Sequence, residues 1–104
     1  MNQIDEKIAA AVKIVAREFD PAAEVILFGS RAREDARQDS DYDFLILLNL
    51  PLDFHLKEKI LNRLYEVELQ YDCVLGTLIE NYDYWQMLEN TPIFSEIKHD
   101  GIEV

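Results

Sequence analysis

The sequence predicts an α+β fold in which a small mixed β-sheet is flanked by helices. Three observations carry this. Apolar residues recur at helical spacing in two long segments, residues 4–19 and 53–70. Three short runs rich in β-branched and aromatic residues, "EVILFGS", "DYDFLILLNL" and "YDCVLGTLI", read as strands set between the helical segments. No repeat, low-complexity tract or linker divides the chain, so residues 1–104 form one domain.

The elements follow in order. Ile4, Ile8, Val12, Val15 and Phe19 give an amphipathic first helix that ends before Pro21. "EVILFGS" is a short strand that closes on Gly29, the first glycine of the chain, and "RAREDARQ" is a short polar helix or loop. "DYDFLILLNL" is a second strand whose continuous apolar part suits a central position covered on both faces, and Pro51 stops it. Phe54, Ile60, Leu61, Leu64 and Val67 mark a second amphipathic helix over 53–70. "YDCVLGTLI" is a third strand interrupted at Gly76, and "NYDYWQMLEN" is a short helix. Thr91 caps a last helix with Pro92 at its first position, "PIFSEIKHD", and the tail "IEV" adds a final strand. Trp85, Met87, Ile93 and Phe94 read as core, Cys73 as buried packing, and His55 and His99 as surface residues. Tyr42, Tyr82 and Tyr84 need no special role.

Charge narrows the function classes. Twenty-one acidic residues against ten basic ones give a formal net charge of −11, which repels phosphate backbones and argues against general nucleic-acid binding. It suits cations or a basic protein partner. No stretch approaches ~18 consecutive apolar residues, so no membrane span is expected. The first residues, "MNQIDEKIAAAVKIV", have no cleavable apolar core, and Cys73 is the one cysteine. The expectation is a cytoplasmic protein without an internal disulfide.

Asp41 and Asp43 then stand out. They head an apolar strand two residues apart, so their side chains share a face with Cα atoms roughly 6.5 Å apart. Asp is depleted from strands, and paired carboxylates repel. An EF-hand does not explain them: counted from Asp39, its sixth and twelfth positions are Phe44 and Leu50 instead of glycine and glutamate. "GSRAREDAR" lacks the Gly-Lys-Ser/Thr close of a P-loop, and His55 and His99 have no zinc-ligand spacing.

What remains is a strand ending in Gly29–Ser30, ten residues, then Asp-x-Asp heading a second strand. Gly29 has no side chain, so a phosphate can approach the backbone N–H groups there, and Ser30 adds a hydroxyl donor. Asp41 and Asp43 offer hard oxygen ligands suited to Mg²⁺, which takes one or two protein carboxylates together with substrate phosphates. A third carboxylate is expected on a neighbouring strand, and Asp72 at the head of "DCVLGTLI" is the candidate. Two metals ~3.5–4 Å apart would clamp the attacking and leaving oxygens of an in-line phosphoryl displacement.

"GSRAREDARQDSDYD" resembles the signature of the nucleotidyltransferase fold of the DNA polymerase β superfamily, with its palm-like sheet. The small size, with "W…TPIF…I…DG" after the third strand, resembles that superfamily's minimal nucleotidyltransferases. The resemblance implies that Gly29 and Ser30 contact the triphosphate and that Asp41, Asp43 and Asp72 bind Mg²⁺. It implies ATP as substrate, transfer of AMP and release of pyrophosphate. It also implies a partner, a helical HEPN-family ribonuclease-like toxin encoded alongside, which such proteins neutralise as antitoxins. Arg31 is the arginine expected to reach the nucleotide. The chain departs from a "GSRARG" run common in this family at Glu34.

Three functions follow from these readings. The first is an enzyme that transfers AMP to a partner protein, which would complete a site that this short chain leaves open. The second is a binding-only antitoxin that works by complex formation. The third, a nucleotidyltransferase of small cationic molecules, is disfavoured because there is no second domain to grip such a substrate.

Overall fold

The computed structural model describes residues 1–104, in the order α1 (Gln3–Phe19), β1 (Glu24–Phe28), α2 (Gly29–Arg33), β2 (Tyr42–Leu48), α3 (Phe54–Tyr71), β3 (Leu75–Asn81), α4 (Tyr82–Gln86), α5 (Pro92–Asp100) and β4 (Ile102–Glu103). The sheet has the order β3-β2-β1-β4. β1 pairs antiparallel with β2 and β4, whereas β2 and β3 are parallel. A parallel pair needs a crossover, and α3 supplies it. The mixed sheet of the sequence reading is therefore present, and no helix is long and apolar enough to cross a membrane.

Both long helices cover one face of the sheet. Asn2 caps α1 by accepting from the Asp5 N–H at 2.8 Å, and Asp53 caps α3 by accepting from the Leu56 N–H at 2.7 Å. Their buried stripes, Ile8, Val12 and Val15 on α1 and Ile60, Leu64 and Val67 on α3, pack on Val25, Leu27, Phe44, Ile46 and Ile79. Buried Asp20 ends α1 and stitches it to the far end of β2, accepting from the Asn49 N–H at 2.7 Å. The opposite face has a thinner cover. There Phe28, Leu45 and Leu47 meet Trp85 of α4 and Ile97 of α5, and Trp85 stacks on Phe94 at 5.1 Å between ring centroids. β2 is thus central and covered on both sides, which explains its unbroken apolar run.

Two expectations change. The third strand begins at Leu75 because Tyr71 is the last residue of α3 and Asp72 is its left-handed C-cap, at φ 50°. Gly76 lies within β3 and does not interrupt it. Met87 and Ile93 are not core, being 78% and 36% exposed. α4 is a five-residue turn, so only Trp85 faces the sheet from it, and Met87 lies beyond its end.

Candidate active site

β1 runs directly into α2 through Gly29, whose φ of 73° is left-handed and disfavours any side chain. No side chain caps α2, and Ser30 is a half-buried residue inside its first turn, not its cap. The sheet register then sets what lies beside this turn. Phe28 stands opposite Asp43 on one side, and Gly76 stands opposite Asp43 on the other. A Cβ built on Gly29 would overlap Asp43 Oδ2, and one on Gly76 would lie 2.9 Å from Asp43 Oδ1. Two glycines on two neighbouring elements therefore make the space that one carboxylate fills.

Asp41 is exposed just before β2 and shares the Asp43 side of the strand, while Tyr42 between them points into the core under α1 and α3. The Asp43 carboxyl is held above its ordinary value of 3.8, chiefly by burial, then by the negative charges of Asp41 and Glu96, against the pull of Arg33. Arg33 and Glu96 are thus neighbours of the site that the sequence did not reveal. Arg33 lies one helical turn after Gly29 and is held by Asp100 at 3.1 Å and Asp35 at 3.2 Å. Asp100 sits one turn after Glu96 on α5, so this ion pair ties the Glu96 stripe to α2. Arg33 is one of three arginines in the polar stretch after Ser30, any of which would bring positive charge to a triphosphate if that stretch folds inward; Glu96 arrives through tertiary packing alone.

Arg31 and Asp72 are placed elsewhere. Arg31 lies on the opposite face, with its guanidinium carbon 4.3 Å from the centroid of the Tyr42 ring. Its Nη2 donates to the carbonyls of Gln38 at 3.1 Å and Ser40 at 2.7 Å, and its Nη1 stands 3.8 Å from Asp5 Oδ1. A guanidinium engaged in this way does not point at a phosphate beside Gly29. Asp72 lines a cavity of about 730 Å³ together with Arg31, Asp39, Tyr42 and Cys73, on that same side. No three His, Cys, Asp or Glu side chains converge as a cation site, so the expected trio of Asp41, Asp43 and Asp72 is not assembled. The physical reason is the left-handed cap, which spends residues 72–74 on turning the chain before β3 starts.

Asp41 and Asp43 by themselves fit Mg²⁺, with hard oxygens beside the glycine turn that Asp43 touches. Gly29, Ser30, Asp41 and Asp43 line none of the cavities of the molecule. Asp41 is exposed, Ser30 and Asp43 are half-buried and Gly29 is buried.

Comparison with known proteins bears on the family and the fold. The nucleotidyltransferase domain family matches residues 8–98. A Methanocaldococcus jannaschii protein whose name describes it as a protein adenylyltransferase is 33% identical over 85 residues, covering 82% of this chain and 81% of its own. Among solved structures, a toxin–antitoxin complex with AMP-PNP superimposes with a TM-score of 0.60 at 15% identity, over 91% of this chain and 70% of the other. A mutant toxin–antitoxin complex with two aspartates changed to glutamate gives 0.60 at 12% identity with the same coverage. A Sulfolobus solfataricus protein described as a nucleotidyltransferase gives 0.53 at 16% identity, over 99% of this chain and 86% of the other. At these identities the structures speak for the fold, and the sequence match speaks for the family. The chain belongs to the nucleotidyltransferase domain family, as its Gly-Ser and Asp-x-Asp residues led us to expect.

Proposed function

We propose that this nucleotidyltransferase moves AMP from ATP to a hydroxyl of a partner protein, with Mg²⁺ as cofactor, and that the partner is a HEPN-type toxin that it restrains as an antitoxin in the cytoplasm. The observation that carries the reading is the Asp43 carboxylate seated between Gly29 and Gly76, beside Asp41. The acidic surface, at −11, suits a basic partner. The name of the archaeal relative and the toxin–antitoxin complexes among the structural neighbours support the same partner class.

The residues divide the work by position. The Gly29 backbone and the Ser30 hydroxyl hold phosphate oxygens, and the lack of a side chain at Gly29 lets the Asp43 carboxylate sit against that turn. Asp41 and Asp43 hold Mg²⁺, which supplies positive charge to the phosphate oxygens when bound. The acceptor hydroxyl oxygen attacks the α-phosphorus and releases its proton to solvent, the bond to the bridging oxygen breaks, and pyrophosphate leaves with the bonding electron pair. Arg33 offsets part of the negative charge gathered around Asp43. Asp72 and Arg31 take no part in this scheme.

A second reading, the binding-only antitoxin, draws on the missing third carboxylate. The two separate in one experiment. The chain is incubated with ATP, Mg²⁺ and the helical protein encoded beside it, and the intact mass of that protein is read. A gain of one or more AMP units that vanishes with Asp41→Asn and Asp43→Asn supports transfer. A stable complex with no mass gain leaves binding alone.

A further inference from the structure

Tyr42 sits between the two aspartates of the site, yet it points the other way. Its hydroxyl donates a short hydrogen bond to Asp5 Oδ1 across 37 residues of sequence. Arg31, next to Ser30, stands over the same ring and pairs with the same Asp5 oxygen. The Arg31 and Asp5 side chains are 11% and 7% exposed, so the network is buried. Each member is fixed to a different part of the site. Tyr42 carries the backbone between Asp41 and Asp43, Arg31 carries the start of α2, and Asp5 belongs to the capped first turn of α1. The Arg31 fork also holds the carbonyls of Gln38 and Ser40, which end the loop joining the two halves of the site.

Buried charge of this kind is a costly way to hold a fold together. Apolar residues of similar volume often stabilise as well or better, so a retained ion pair calls for another reason. The same groups span the two chain segments whose separation matters most for chemistry at a phosphate. A misplacement of ~1 Å between reacting groups can cost about 10²-fold in rate.

We infer that Asp5, Arg31 and Tyr42 form a clamp behind the sheet that sets the separation between the Gly29–Ser30 turn and the Asp41/Asp43 carboxylates. Arg31 and Asp5 are then positioning residues for nucleotidyl transfer, touching neither nucleotide nor metal. This rests on the proposed roles of Gly29, Ser30, Asp41 and Asp43. The property a clamp controls is the coupling between its two ends.

Mn²⁺ is titrated by electron paramagnetic resonance, alone and with a non-hydrolysable ATP analogue, on wild type, Tyr42→Phe, Asp5→Ala and Asp5→Asn. Wild type should bind Mn²⁺ about tenfold more tightly when the analogue is present, a typical coupling. Tyr42→Phe and Asp5→Ala should cut that enhancement to about twofold while leaving affinity for Mn²⁺ alone within about twofold of wild type. Asp5→Asn, whose amide oxygen still accepts the Tyr42 hydroxyl, should restore most of it. Full coupling in folded Tyr42→Phe would overturn the clamp, as would an equal loss in the absence of nucleotide. Tyr42→Phe removes a single oxygen, so the test holds even if Asp5→Ala fails to fold. If wild type binds no Mn²⁺, the metal reading falls, and amide exchange at residues 29–33 decides the clamp. Tyr42→Phe should accelerate it about tenfold, and unchanged exchange would overturn the inference.

Discussion

The Asp43 carboxylate occupies the space in which a side chain on Gly29 would begin. The contact joins the first residue of α2 to the second residue of β2, and the left-handed φ of 73° at Gly29 makes it possible. Gly29→Ala should therefore fail twice. The backbone conformation alone costs about 1–2 kcal/mol for a residue with a Cβ. The new methyl would also push Asp43 off its seat. Urea denaturation should show at least the backbone loss, and transfer by the folded fraction should fall about 10²-fold.

Asp43 carries a pH signature. Its carboxyl lies above the ordinary 3.8 because burial comes first and Asp41 and Glu96 add to it. In the metal-free chain the native state therefore keeps this proton longer than the unfolded state. Stability falls as pH rises from the ordinary value through the raised one, and the loss persists at neutral pH. Asp43→Asn should raise the metal-free Tm at pH 7. The gain should fade below the ordinary carboxylate range, where Asp43 is protonated in both states. Differential scanning calorimetry at pH 7 and pH 3 checks the sign.

Asp72 provides the contrast. It is an exposed left-handed cap on the cavity side of the chain, and it does not join Asp41 and Asp43 in a cation site. Asp72→Asn keeps a residue that tolerates the left-handed region. Mn²⁺ affinity should stay within about twofold of wild type, whereas Asp43→Asn should lose at least tenfold, since even indirect partners of a metal are worth about 10–100-fold. A loss in Asp72→Asn equal to that of Asp43→Asn would return Asp72 to the site.

Glu34 has its explanation in the backbone. It caps α2 at φ 64°, a conformation that favours glycine. Its exposed carboxylate meets the N-terminal amine of Met1 at 3.1 Å, a surface pair of little worth. Glu34→Gly should stabilise the chain by about 1 kcal/mol through relief of the left-handed strain, less the entropy that glycine adds to the unfolded state. Its exposed side chain pairs with the Met1 amine and makes no hydrogen bond or ion pair with Asp5, Arg31 or Tyr42, so the transfer rate should not change. Thermal melts and a transfer assay on the same sample test both halves.

The parts of the fold that depend on local pattern were legible. Ile8, Val12 and Val15 recur at helical spacing and are buried on α1, and Thr91–Pro92 begins α5 where a cap and a first-turn proline belong. The unbroken run of β2 gave its central place. Met87 and Ile93 misled because hydrophobicity does not reveal that α4 ends before one and leaves the other at the surface. Tyr42 was passed over because nothing in the sequence within a few residues of it announces Asp5 as a partner.

By itself, the sequence determined the elements and the one motif whose parts act through short-range geometry, Gly29–Ser30 followed by Asp41 and Asp43. A strand has period 2, so the spacing predicts a shared face, and Asp41, just ahead of β2, lies near enough for its charge to act on Asp43. The tertiary structure decided which groups meet that face. One left-handed residue after α3 moved the start of β3 to Leu75 and set Gly76 opposite Asp43, with Asp72 outside the site. The same alternation put Tyr42, and with it Arg31 and Asp5, behind the sheet. Helix packing brought Arg33 and Glu96 to Asp43. Register and chain turns act across tens of residues, and a shift of one position exchanges the two faces.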